Sequence, residues 1–310
     1  TRLFSEIIAI WIITFWKSLD SPKKFNLIEL GAGNGEMMRV ITETLKNFPE
    51  CFDACSFMIH EKSNFLIKHQ KKNLNSEKVL WIKDIKKINS NPTLYLANEF
   101  FDAIPIKQFF KQEDDWFERF VEIKNKKKAE FKKQKIDIKK LEKILKFEIS
   151  KNQNVIEYSP ETFKYLKDIC KVIKKNKGGI LIIDYGYLSP KMQETLQAVK
   201  NHKYHDPLSN PGYIDLTTHV NFEMLARSAR EAGGQVYGPV NQRDFLRPLG
   251  IEHRAKQLLK TASTRQKGDI LESLKRLISL DQMGGLFKAL AIGHIKHPVP
   301  EGFENRRGMK

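Results

Sequence analysis

Three glycines at alternate positions, Gly31, Gly33 and Gly35, follow an acidic residue in Glu29-Leu30-Gly31-Ala32-Gly33-Asn34-Gly35. Alternate glycines let a chain turn sharply and bring its backbone against a ligand where a Cβ would collide. A helix opening directly after such a turn adds free N–H groups and the positive end of its dipole. Dinucleotide loops use G-x-G-x-x-G. Counted from Gly31, the third glycine position is Glu36, whose carboxylate would sit badly against a pyrophosphate. G-x-G-x-G with an acid two residues before it suits S-adenosylmethionine, which carries a cationic sulfonium and an ammonium but no phosphate. Glu61, ending the next apolar segment, offers two acceptor oxygens to the hydroxyls of a ribose. Asp84, after the third, is placed to meet an adenine amino group. Each has a plain structural reading beside the functional one: a ligand-free tight turn, a surface glutamate, and ordinary aspartate turn chemistry.

A second constellation is Asn98-Glu99-Phe100-Phe101-Asp102-Ala103-Ile104-Pro105. It follows an apolar segment, and in open α/β sheets the carboxyl ends of strands near the switch point line the ligand crevice. Methyltransferases acting on neutral amide or base nitrogens carry Asn/Asp-Pro-Pro-aromatic here, with a side-chain amide holding the planar nitrogen. This chain has no Pro-Pro, and Glu99 and Asp102 suit a cationic substrate, guanidinium above all, because its planar fork pairs bidentately with a carboxylate. Asp102 alone reads equally as a helix cap. Methyl transfer from a sulfonium needs alignment more than acid–base strength. His219 is therefore not required as a base, and reads first as a satisfied structural histidine, then as a site residue.

These groups need a scaffold. Asn26 to Gly35 reads as a strand running into the glycine turn, and Ser56 to Glu61, Val79 to Ile82 and Thr93 to Ala97 read as strands, with Glu36 to Phe48 apolar at helical spacing between the first two. That rhythm predicts parallel pairing through right-handed crossovers, hence an open α/β sheet. Gly179 to Tyr185 is a continuous apolar run of the kind buried on both faces. Gln235 to Tyr237 and Leu286 to Ile292 read as the last strands, with helical material from Asp244 to Leu280. Trp116 to Ile123 reads as one strand of an added hairpin, and Asn125 to Lys151, rich in lysine, as a partly helical surface insertion. Gly186 to Val220, with His202, His205 and His219, is long enough to be a lid. Asn221 is placed to cap a helix through Ala232. The expected organisation is one domain over 1–310, with an N-terminal helix in 1–25, a Lys-rich insertion over 106–177, and a lid-like segment plus helix over 186–234.

With 310 residues and 41% hydrophobic content the chain can bury a sizeable core. Leu3 to Trp16, the best apolar run, is short of the ~20 residues that span a bilayer. Three cysteines, Cys51, Cys55 and Cys170, without a second Cys or His pair argue against a zinc site and a disulfide framework. No metal is expected. The 54 Lys and Arg against 37 Asp and Glu leave +17, which admits an RNA partner. Lysine enrichment along the whole chain, without interleaved aromatics in Lys126-Lys127-Lys128 and Lys132-Lys133, favours a solvated basic face.

The turn Asn98 to Pro105, followed by Lys107-Gln108-Phe109, resembles the MidA family of S-adenosylmethionine-dependent methyltransferases. So do Ile183-Asp184-Tyr185-Gly186, Asp215 to Phe222, Gly238-Pro239-Val240-Asn241-Gln242 and Met283 to Lys288, in family order from Phe4 to beyond Ala291. The resemblance implies a class I methyltransferase fold, a mostly parallel seven-stranded sheet with an inserted lobe between strands four and five. It implies that Glu29, Gly31, Gly33 and Gly35 form the cofactor loop with Glu61 on the ribose. Asn98, Glu99 and Asp102 would then line the transfer site, with Asp184 closing it from strand five. Mitochondrial members methylate arginine on a subunit of respiratory complex I during assembly, so the implied partner is a protein and the implied location the mitochondrial matrix, or the cytoplasm for a bacterial protein. Family members carry Gly-Asp-aromatic-Thr-Ser-Pro-Glu upstream of the block matching Thr1 to Phe4, so upstream sequence is expected to be missing. Asn221 stands where the family usually has Asp. The rival functions are an RNA methyltransferase, a small-molecule methyltransferase with a pocket under Gly186 to Val220, and a non-catalytic assembly factor of the same fold.

Overall fold

Alternating side chains of the first strand, β1 (Phe25–Leu30), divide the molecule into two layers. Phe25 and Leu27 point into one apolar layer and Ile28 and Leu30 into the other, and all six residues are buried. The computed structural model describes residues 1–74, 78–124, 128–200, 203–209 and 211–304; His202, Lys126 and Lys127 lie outside the described residues. Ahead of β1 runs α1 (Arg2–Ser18), whose apolar residues are buried on nearly every side and whose first turn is capped by Thr1. After β1 come α2 (Glu36–Leu45), α3 (Pro49–Ala54), β2 (Cys55–His60), α4 (Asn64–Leu74), β3 (Val79–Ile82) and β4 (Thr93–Asn98). The lobe follows as β5 (Lys107–Gln112), β6 (Asp115–Lys124), β7 (Lys128–Ile136), α5 (Ile138–Leu145) and β8 (Val155–Tyr158). The chain returns through α6 (Pro160–Asn176) to β9 (Gly178–Tyr187), then β10 (Gln197–Lys200), β11 (Lys203–His205), β12 (Asp215–Thr217), β13 (Val220–Asn221) and α7 (Phe222–Glu231). It ends with β14 (Gln235–Asn241), α8 (Gln242–Leu246), α9 (Ile251–Thr261), α10 (Thr264–Ile278), α11 (Met283–Leu286) and β15 (Phe287–Gly293).

The main sheet has the order β14-β15-β9-β4-β1-β2-β3. Strands β3 to β9 along that path are parallel, and β15 is antiparallel to both β9 and β14. This is the mostly parallel seven-stranded sheet of the class I methyltransferase fold. The order reverses between β1 and β4, since β2 and β3 lie to one side and β4 to the other. A crevice opens above the strand ends at that point.

The lobe is a second sheet, β7-β6-β5-β8, around Phe109, Trp116, Ile138, Leu145 and Ile156. Here the structure corrects the reading of Asn125 to Lys151 as merely a partly helical insertion, because Lys128–Ile136 is the strand that completes the hairpin with β6. Cross-strand pairs explain how a lysine-rich segment does this. Ala129 and Phe131 face Ile123 and Val121, while Lys124 and Lys128 pair with Glu130, Lys132 with Glu122, and Lys135 with Asp115. Of residues 106–177, only 107–158 build this sheet; α6 buries Leu166, Ile169 and Ile173 in the main core beside Ile28 and Ile182. Between β9 and β13, strands β10, β11 and β12 form a small antiparallel sheet in the order β11-β10-β12. Glu157 of β8 fastens it to the lobe, accepting from Gln108 Nε2 (2.7 Å), Thr195 N (3.0 Å) and Thr195 Oγ1 (2.5 Å). Asn221 caps α7 by accepting from Met224 N at 3.0 Å. Among the described residues no helix is long and apolar enough to cross a membrane.

Candidate active site

The glycine turn leaves β1 at the switch point and enters α2, and its glycines serve different needs. Gly31 has φ +65°, and a Cβ there would stand 2.8 Å from the Phe100 ring. Its constraint is steric and internal. Gly33 has φ +54° and nothing within 4 Å of where its Cβ would be: the space beside it is open for a ligand. Gly35 is the N-cap of α2. Together with Glu29, Asn98 and Glu99 the turn lines a cleft of about 330 Å³, which α10 closes with Arg276. Glu29 is almost wholly buried, and its Oε2 has no hydrogen-bond partner. Burial pushes its carboxyl up to about 8, with the Met38 N–H opposing.

Glu61 follows β2 and is buried, accepting from Ser63 N at 2.9 Å through Oε1 and from Gln70 Nε2 at 3.2 Å through Oε2. Gln70 was not singled out from sequence. Its inward direction was encoded in the i, i+4 spacing Leu66, Gln70, Leu74, which puts it on one helix face. Asp84 accepts from Lys86 N at 3.0 Å, and lies with His60 and Tyr165 around a different hollow. Phe100, in contact with Gly31 and edge-on to Tyr165 at 5.3 Å, stands between that hollow and the cleft.

The acidic turn divides its carboxylates. Asp184 of β9 is fully buried. Its Oδ2 accepts from the backbone N–H groups of Phe100 (3.2 Å), Phe101 (3.0 Å) and Asp102 (3.3 Å), and its Oδ1 from Tyr185 N (3.0 Å). This clasp gathers the turn's donors inward. Glu99 is left in the left-handed region, φ +48°, with its N–H on Ile183 O at 3.0 Å and its side chain open to solvent in the cleft. Partial desolvation raises the Glu99 carboxyl, and nearby Asp102 raises it further. Asp102 turns the other way. It is buried and accepts from Tyr185 OH at 2.8 Å, while its carbonyl accepts from Thr218 N at 3.1 Å.

Two sequence expectations are thereby corrected. Asp102 does not join Glu99 in the cleft, and Asp184 does not close the transfer site but shapes the turn from beneath. Burial raises both pKa values, and Asp102 raises that of Asp184 further. His219 also lies off the cleft, its N–H on Thr195 Oγ1 at 2.9 Å and its ring edge-on to Tyr185 at 5.5 Å. Burial lowers its pKa, Glu157 opposing, so it is neutral at pH 7. His219, Tyr185 and Asp102 form a packed chain behind the turn.

The cleft fits S-adenosylmethionine on its own terms. The unpartnered Glu29 Oε2 suits a ligand cation, the space beside Gly33 admits close approach, and Glu61 keeps acceptor capacity on both oxygens. The chemistry is cationic and hydroxylic, as that cofactor requires.

Residues 7–240 match the family described as "Putative S-adenosyl-L-methionine-dependent methyltransferase". The protein arginine methyltransferase NDUFAF7 homolog, mitochondrial, of Caenorhabditis elegans is 31% identical over 315 residues, covering 94% of this chain and 73% of its own. The Homo sapiens protein arginine methyltransferase NDUFAF7, mitochondrial, is 27% identical, covering 100% of this chain and 75% of its own. A Burkholderia thailandensis protein crystallised with S-adenosyl-homocysteine shares the fold, with a TM-score of 0.83 at 22% identity over 98% of this chain and 80% of that one. With more than half of its length matched and that cleft at its switch point, the chain belongs to this family of S-adenosyl-L-methionine-dependent methyltransferases.

Proposed function

We propose that this methyltransferase modifies an arginine side chain on a protein partner. The observation that carries the reading is Glu99, a carboxylate held by a left-handed backbone in the cofactor cleft, with only Asn98 Nδ2 (3.4 Å) as side-chain hydrogen-bond partner among the described residues. Arg276 across the cleft acts on Glu99 only through space, and a guanidinium is suited to pair with it directly, since it stays charged far above pH 7 and its planar donors match a carboxylate. The names of the relatives, protein arginine methyltransferases, support the same substrate class. A subunit of respiratory complex I is the partner the family resemblance implies, with the mitochondrial matrix as location if the protein is eukaryotic.

In the mechanism, Glu29 and the glycine turn would hold the amino-acid end of the cofactor and Glu61 its ribose. Bound there, S-adenosylmethionine would supply an electrophilic methyl, the C–S bonding pair staying on sulfur as S-adenosylhomocysteine leaves. Glu99 and Asn98 orient the guanidinium so that one nitrogen faces that methyl. Pairing with Glu99 draws positive charge toward the other nitrogens and leaves electron density on the attacking one. The nitrogen gains a methyl and gives up a proton, which Glu99, its affinity for protons already raised, is placed to take and pass to the solvent at the cleft mouth. Alignment and electrostatics thus carry the step, with Glu99 serving as proton acceptor as well as partner to the guanidinium.

No observation favours RNA as strongly, because Lys124, Lys128, Lys132 and Lys135 of the β6–β7 hairpin carry their own counter-charges in Glu122, Glu130 and Asp115. The test is transfer of a tritiated methyl from S-adenosylmethionine into a lysate, with hydrolysis of the labelled species. Methylarginine is the expected product. Label in RNA or in a small molecule overturns the reading.

A further inference from the structure

Helix α4 faces the glycine turn with two side-chain amides. Asn73 Nδ2 donates to Asn34 O at 3.0 Å. Gln70, fully buried, uses all its polar atoms: Nε2 donates to Gly33 O at 2.9 Å and to Glu61 Oε2 at 3.2 Å, and Oε1 accepts from the Trp81 indole N–H at 2.8 Å. The three partners fix the amide's orientation. Flipped, its oxygen would oppose two acceptors and its NH₂ would oppose the indole donor. Glu61 is correspondingly constrained. Ser63 N takes one lone pair of Oε1 at 2.9 Å and Gln70 takes one of Oε2, so each oxygen keeps acceptor capacity on its remaining side. Two such oxygens side by side match a vicinal diol.

We propose that Gln70 is a positioning residue for the cofactor, tying the Gly33 carbonyl to the Glu61 carboxylate so that the turn and the ribose acceptor keep one fixed separation. The proposal rests on Glu61 meeting the ribose hydroxyls and is independent of the methyl acceptor. Were Gln70 only filling the core, its loss would lower stability without changing how the site distinguishes one ribose from another.

Calorimetry with S-adenosylhomocysteine and its 2′-deoxy analogue separates the two roles. Wild-type protein should prefer the full ribose by about tenfold or more, as for a hydrogen bond to a charged group. Gln70→Leu should bind S-adenosylhomocysteine about tenfold more weakly, and its preference should fall below about threefold. Gln70→Glu keeps the shape but sets a second carboxylate against Glu61 and the Gly33 carbonyl. Measured relative to wild type at the same pH, which cancels the titration of Glu29, its affinity should be lost at pH 8 and recover by about tenfold or more towards pH 5.5, as the acidic pair takes up a proton that restores one donor. This second variant decides the matter if Gln70→Leu does not fold. A folded Gln70→Leu that keeps the wild-type preference, or a Gln70→Glu whose affinity relative to wild type does not change with pH, overturns the proposal. Glu61→Gln is the control. If it too keeps the preference for the full ribose, the ribose role of Glu61 is wrong and the inference falls at its premise rather than at Gln70.

Discussion

Glu99 and Asp102 lie in one turn and have opposite surroundings. Glu99 opens into the cofactor cleft with its backbone at φ +48°. Asp102 is buried and held by the Tyr185 hydroxyl at 2.8 Å. What separates them is a third acid, Asp184, whose carboxylate collects the N–H groups of Phe100, Phe101 and Asp102. Drawing those donors toward β9 turns the Asp102 side chain inward and leaves Glu99 outside the clasp. Three acidic residues thus divide into one that opens into the cleft and two that hold it in place.

The division is broken most severely from beneath. Asp184→Ala leaves four backbone donors without their acceptor, two of them buried, and a buried unsatisfied group costs ~1–3 kcal/mol. A loss of about 3–5 kcal/mol in urea denaturation is expected, with transfer activity lost together with the turn. Glu99→Gln should act on the chemistry instead, lowering transfer about 10²-fold while cofactor affinity and stability stay near wild type. Its pH profile sharpens the point. Glu99 acts ionised and its pKa is raised, so the wild-type rate climbs as pH rises through that raised value and then levels, and the Gln variant lacks this limb. Asp102→Asn keeps an acceptor for Tyr185 and should cost less than tenfold in rate. Should Asp102→Asn, still stable, cost more than Glu99→Gln, the roles are reversed.

Much of the site was legible because its demands are local. A turn needing φ of +65° and +54° at Gly31 and Gly33 is written as glycine, and the strand rhythm that places it recurs along the first hundred residues. Direction was not legible. The type and spacing of Glu99 and Asp102 say nothing of which way each points, because Asp184, 82 residues beyond Asp102, decides it. The same holds for Lys128–Ile136, a strand only because β6 presents Asp115, Glu122 and apolar partners to it. For Gln70 the spacing gives the direction but not the role, since Trp81 and Glu61, which define that role, reach it only through the fold.

Glu29 offers a smaller and graded test of the other side of the cleft. Its carboxyl sits at about 8 in the folded protein against an ordinary value of 4.5. Below that ordinary value both folded and unfolded chains hold the proton. Between about 4.5 and 8 the unfolded chain releases it and the folded one does not, so stability falls as pH rises across this window and is flat above it. Glu29→Gln removes the titration. Without cofactor, its melting temperature relative to wild type should improve by a few degrees from pH 5 to pH 8, although cofactor affinity falls. A constant difference across that range would mean that Glu29 is already ionised in the folded protein.

The smallest effect is expected farthest from the turn, in the β6–β7 hairpin. Val121, Ile123 and Phe131 are exposed there, and the ion pairs Lys124–Glu130 (2.8 Å) and Lys128–Glu130 (3.0 Å) are solvent-exposed, of a kind that contributes ~0–1 kcal/mol. Replacing 121–131 by Asn-Gly joins Phe120 to Lys132 across a two-residue turn. The Trp116–Ile136 pair at the base stays, as do Phe109, Ile138 and Leu145 of the lobe core. Shortening a loop changes closure entropy only slightly, and the trimmed residues do not line the cleft. Affinity for S-adenosylhomocysteine should therefore stay within about threefold of wild type. Methyl incorporation into the protein substrate is the informative second reading. If it drops more than tenfold while cofactor affinity holds, the hairpin tip reads the partner and the acceptor site extends well beyond Glu99. If cofactor binding itself collapses, the lobe is part of the structure that holds the glycine turn, and the contrast between cleft and lobe does not stand.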